Sequence, residues 1–109
     1  MNTSGGRSYE PRPLPVGNGV PVKVNQSDNT WLVACPTMPK PGMYVGKSGN
    51  ARAAFRAALI AFDQLACRHG VTRLVVPGMC TGVGGMPVGR CAEQLRDALD
   101  EHIIACTAP

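Results

Sequence analysis

PGMCTGVGGMP, residues 77–87, places four glycines, a threonine and a cysteine within eleven residues, between an apolar run and an amphipathic one. Upstream, VTRLVVP (71–77) is short, β-branched and apolar, the composition of a strand. Downstream, PVGRCAEQLRDALDEH (87–102) sets Val88, Cys91, Ala92, Leu95, Ala98 and Leu99 on one helical face with the charges opposite, and Pro87 suits the first turn. The glycine run therefore leaves the C-terminal end of a strand and enters the N-terminus of a helix, where open α/β sheets bind their ligands. Backbone N–H groups at a helix start lack intrahelical partners, and the helix dipole adds positive charge, so an anion is favoured there.

Residue types sharpen this expectation. Gly82, Gly84 and Gly85 remove side chains that would hold a phosphate oxygen off the backbone, and Thr81 adds a hydroxyl. The run lacks the Lys followed by Ser or Thr of a Walker A loop, and Pro87 in place of the last glycine leaves the dinucleotide fingerprint incomplete, which argues against a nucleoside-triphosphate hydrolase and a dehydrogenase. A tight strand-to-helix turn without a ligand is the plain alternative. Cys80 has the position of a nucleophile, because a thiol near a helix start can have a lowered pKa. His69 and His102 stand at or near the far ends of their helices, however, so no base is evident and a buried structural cysteine is the expected role.

Working outward, NARAAFRAALIAFDQLACRHG (50–70) is the clearest helix. Asn50 can cap it, Phe55, Leu59, Phe62 and Ala66 recur at helical spacing, and Gly70 is the left-handed stop. TWLVAC (30–35) fits a strand buried on both faces, and GVPVKV (19–24) fits a half-buried one, with QSDN (26–29) as the turn between them. PTMPKPGMYVGKSGN (36–50) is a long loop, and IIAC (103–106) reads as a short last strand. The order predicts an α/β fold whose helical crossovers favour parallel pairing.

The 109 residues leave room for one domain, with 44% apolar and 17% charged residues, ordinary for a globular protein. Eleven basic residues against seven acidic ones are scattered rather than striped, so nucleic-acid binding is not expected. Five cysteines, with no Cys-x-x-Cys and with His69 and His102 apart, suggest neither a disulfide framework nor a zinc site, and no cofactor or metal is expected. The start lacks a signal-peptide core and no apolar run has membrane-spanning length, which predicts a reduced, cytoplasmic setting without membrane contact. Residues 1–14 read as a disordered lead-in, and 15–109 as the folded part.

PGMCTGVGGMP with the following VGRCAEQLRDAL resembles the second, phosphate-binding loop and helix of macro domains, the ADP-ribose-binding α/β modules. PLPVGNGVPVKV, TWLVACPTM and NARAAFRAALIAF are similar to the preceding strands, Pro-Thr loop and Ala-rich helix of a bacterial and phage macro-domain-like group. The resemblance implies a three-layer α/β/α sandwich with a mixed sheet, truncated on its N-terminal side, and a loop that holds the diphosphate and distal ribose of ADP-ribose or a related nucleotide diphosphate. Carried over by position, the ligand contacts are Cys80, Thr81, Gly82, Val83, Gly84, Gly85 and Met86, with no catalytic residue. Many relatives place an aromatic residue in the second half of this loop, where this chain has Gly84, Gly85 and Met86. The family's adenine-reading acidic residue and Asn-rich catalytic segment have no counterpart between Met1 and Pro13, so the resemblance covers the C-terminal two-thirds of the family and hydrolysis is not implied. A second expectation follows: a chain lacking those strands exposes a sheet edge and acts as an oligomer, or beside a complementing chain, without binding the ligand.

Overall fold

The computed structural model describes residues 14–40 and 42–107, in which two strands and two helices form a small mixed α/β fold: β1 (Val20–Lys23), β2 (Trp31–Ala34), α1 (Asn50–His69) and α2 (Val88–Thr107). The expected lead-in lies outside these residues except for Leu14. β1 and β2 pair antiparallel, with Val20 opposite Ala34 and Lys23 opposite Trp31. Asn25 closes their turn as an Asx turn: its Oδ1 accepts from the Ser27 N–H at 2.9 Å and the Asp28 N–H at 3.0 Å. The hairpin is tied to the end of α1 by Asn29, whose Nδ2 donates to the His69 carbonyl at 2.6 Å, and by the Trp31 and His69 rings, 4.7 Å apart.

α1 runs to His69, and Gly70 adopts the left-handed conformation (φ 68°) that lets its own N–H reach the Ala66 carbonyl and the Val71 N–H reach that of Leu65. Its start differs from expectation. Gly49, not Asn50, is the capping residue, and the Asn50 side chain instead donates to the Thr37 carbonyl at 2.8 Å. The acceptors for the first turn come from Ser48 Oγ, which receives the Asn50 N–H, and from Gln94 of α2, whose Oε1 receives the Arg52 N–H at 3.1 Å. The same amide of Gln94 donates to the Ser48 carbonyl at 2.8 Å, so one buried side chain clamps the first turn of α1 onto α2. Alanines make this close packing feasible: Ala51, Ala54 and Ala98 are fully buried and the helices lie against each other along them.

Expectations for the strands and for the buried face of α2 are corrected. Residues 71–77 form no strand, since they are laddered to none among the described residues; Val75 is 82% exposed. No parallel pairing is therefore present among the described residues. Ile103 to Cys106 continue α2 rather than forming a strand: without a neighbouring strand, only the helix supplies their backbone with partners, and the β-branched pair Ile103 and Ile104 stays exposed. The buried stripe of α2 is Cys91, Gln94 and Ala98, while Val88, Ala92 and Leu99 face outward. β2 is likewise not buried on both faces, since Leu32 and Ala34 are exposed and only Trp31 and Val33 are half-covered. No helix among the described residues is long and apolar enough to cross a membrane.

Candidate functional site

The loop 77–87 joins residues 71–77 to α2, and its shape is fixed from within. Met86 N–H donates to the Cys80 carbonyl at 2.8 Å, Gly85 N–H to the Gly82 carbonyl at 3.0 Å, and the Thr81 hydroxyl to the Gly78 carbonyl at 2.9 Å. A fourth bond anchors it from outside: Val45 N–H donates to the Gly84 carbonyl at 2.8 Å. Cys80 (φ 68°) and Gly85 (φ 75°) both occupy the left-handed region, which for Cys80 is a strained choice held by its surroundings.

These bonds divide the seven expected ligand residues. The N–H groups of Thr81, Gly82, Val83 and Gly84 meet no acceptor among the described residues, whereas those of Gly85 and Met86 are consumed inside the loop. Gly82 and Val83 are exposed, Thr81 half-exposed, and Gly84 buried. Cys80 and Met86 face the other way, into an apolar cluster with Val45, Ala51 and Cys91. Burial pushes the Cys80 thiol up, partly opposed by its approach to the Thr37 carbonyl at 3.9 Å and reinforced by Cys91 nearby. A buried thiol held protonated is a packing group, not a nucleophile.

Charge and an aromatic ring come from outside the loop. Arg90, in the first turn of α2, donates to the carbonyls of Lys47 and Ser48, which sets its guanidinium against the backbone that precedes α1. Tyr44 lies against Gly85 and Gly46; a Cβ on Gly85 would sit 2.7 Å from its ring, so both positions accept only glycine beside it. Tyr44 is 62% exposed, and nothing in the sequence spacing ties it to the loop, because it is about forty residues before Gly85.

A larger feature lies beside the loop. Between the free edge of β2 and residues 71–80 runs a cleft of about 930 Å³, floored by Ala58, Phe62 and Leu65 of α1. Of the seven expected ligand residues, only Cys80 borders it. Cys35, on the opposite wall, has its thiol pushed up by burial. Both long walls carry backbone groups without ladder partners among the described residues.

No family model matches the chain, and no solved structure matches it. An uncharacterized protein of Aquifex aeolicus is 36% identical over 80 residues, covering 73% of this chain and 46% of that protein. An uncharacterized protein of Aeropyrum pernix is 32% identical over 82 residues, covering 75% of this chain and 41% of its own length. The chain thus spans less than half the length of each of these curated relatives.

Proposed function

We propose that this chain is a macro-domain-like module that binds the diphosphate of ADP-ribose, or of a related nucleotide diphosphate, through the N–H groups of Thr81, Gly82, Val83 and Gly84. The observation that carries the proposal is the run of four successive N–H groups without acceptors in a loop whose other bonds fix its shape. Arg90 in the first turn of α2 adds charge of the right sign. The nature of the ligand rests on the resemblance of 77–87 to the macro-domain loop, and so does the finer architecture, a three-layer sandwich to which the two strands and segment 71–77 would contribute. Exposed Tyr44 stands beside the second half of the loop, where many macro domains carry their aromatic residue, and supplies a face for the distal ribose. A reduced, cytoplasmic setting suits the five free cysteines.

Calorimetric titration with ADP-ribose tests this directly; absence of heat at millimolar ligand overturns it. Gly82→Asp is the informative variant, because a side chain there meets nothing within 4 Å and leaves the loop intact. A carboxylate beside the free N–H groups is expected to weaken binding more than tenfold, since each charge-assisted hydrogen bond contributes about 1.5–3 kcal/mol, with the melting temperature unchanged. Equal affinity in Gly82→Asp would place the ligand elsewhere.

The cleft favours a second reading, in which the chain pairs with a further strand and acts as an oligomer or beside a complementing chain. Two facing walls of unpaired backbone over an apolar floor are what an added strand requires. Light scattering that finds a dimer or larger assembly, reduced to monomer by Leu74→Lys on the cleft wall, with no response to nucleotide, is the outcome expected of this reading alone.

A further inference from the structure

On the side of the helix pair remote in sequence from the glycine loop, three donor atoms of different chemistry converge. Asp63 of α1 and His102 and Cys106 of α2 bring one carboxylate oxygen, one imidazole nitrogen and one sulfur within 4.8 Å of one another. The separations are 2.7 Å from His102 Nε2 to Asp63 Oδ2, 3.6 Å from His102 Nε2 to Cys106 Sγ, and 3.8 Å from Cys106 Sγ to Asp63 Oδ2.

A Cys–His–Asp relay and a metal site place these atoms differently. A relay uses the two ring nitrogens on opposite sides, one toward the thiol and one toward the carboxylate. Here Nε2 faces both, so all three donors point at one centre, as ligands do. Zinc bond lengths with tetrahedral angles set nitrogen and sulfur, and oxygen and sulfur, about 3.6 Å apart, and nitrogen and oxygen about 3.4 Å apart. Two of the three separations already agree with those values. The third is a hydrogen bond that lengthens when a metal replaces its proton.

We infer that Asp63, His102 and Cys106 form a binding site for a borderline-soft divalent cation, with zinc as the ion. The donor set decides the class: a thiolate and an imidazole select zinc over magnesium or calcium. Binding releases the thiol proton of Cys106 and takes the bridging proton off His102 Nε2, a neutral ring carrying it on Nδ1 instead, so that sulfur, nitrogen and oxygen lone pairs face the metal. The His102 side chain is 13% exposed and backed by protein, whereas that of Asp63 is 53% exposed, so the ion enters from solvent and keeps water in its fourth position. Arg52 and Arg56 of α1, which would repel a cation, are engaged by Glu101. The site joins the last turns of α2 to α1 and is independent of nucleotide binding.

The test uses the full chain, reduced and stripped with a chelator. Cobalt is titrated first, read by thiolate-to-metal absorption and the visible bands of four-coordinate cobalt, and zinc is then titrated against a chromophoric chelator. One equivalent of each is expected, with zinc displacing cobalt and raising the melting temperature. Even partners that only orient a ligand cost 10–100-fold in affinity when lost, so Cys106→Ser, at an exposed position, is expected to lose about a hundredfold and the thiolate band while keeping its helix content by circular dichroism. His102→Gln is expected to lose as much, and Cys67→Ser, an exposed thiol outside the cluster, to lose nothing. Unchanged zinc affinity in Cys106→Ser, or a thiolate band that disappears in Cys67→Ser, overturns the assignment.

Discussion

Alanine at Gly84 is expected to lower the melting temperature by roughly 5–20 °C, whereas alanine at Gly82, two residues away, leaves it within a few degrees. A Cβ on Gly84 would sit 2.7 Å from the Cys80 carbonyl oxygen and 2.8 Å from a Val45 methyl, in a buried position. Neither neighbour can yield cheaply. The Cys80 carbonyl accepts the Met86 N–H, and Val45 donates to the carbonyl of Gly84 itself, so relief of the clash breaks a bond that shapes the loop. Overpacking of this kind costs about 1–3 kcal/mol, which in a domain of this size gives the stated shift. Gly82 has no atom within 4 Å of its Cβ position and serves as the matched control. Thermal melts followed by circular dichroism decide the point, and equal shifts for the two variants would mean that the loop is not held as described. The contrast also bears on ligand tests: a charge at Gly84 deforms the loop before it can repel a phosphate.

Gln94→Leu is expected to destabilise the chain by about 1–3 kcal/mol, because a buried group that loses its partner keeps its desolvation cost. Leucine fills similar space but leaves the Arg52 N–H without its acceptor and the Ser48 carbonyl with only the longer bond from Arg90. Arg96→Ala is the control, since its bridge to Asp100 joins two exposed side chains one helical turn apart and is worth only tenths of a kcal/mol. Urea titration measures both, and a midpoint for Gln94→Leu equal to that of the parent would remove the clamp from the account of helix docking.

The parts of the fold legible in the sequence are those specified by local chemistry. α1 is legible because its apolar period and the Gly70 stop are local, and the hairpin because QSDN separates two β-branched runs. Residues 71–77 and 103–106 have the same β-rich composition as real strands, but a ladder needs a neighbour, and composition does not supply one. α2 was expected to bury Leu99 and Val88 on hydrophobicity alone; the stripe instead passes through Gln94, whose partners lie 42 and 46 residues away. The same distinction holds for the sites. The address of the glycine loop follows from its flanks, while the loss of the Gly85 and Met86 N–H groups to internal bonds does not. Ending α2 at His102 also hid the pairing of His102 with Cys106, which share a face only when the helix continues for another turn.

The segment 71–77 finally carries its own clock. Amides of α1 and α2 beyond their first turns exchange with solvent deuterium only through opening of the helices, whereas those from Thr72 to Val76, which meet no backbone acceptor among the described residues, exchange at rates close to those of a free chain. A strand seated in the cleft would slow these few amides and leave the helical ones as they were. Five consecutive residues thus report, by isotope labelling alone, whether the chain in solution stands by itself or has been completed by another.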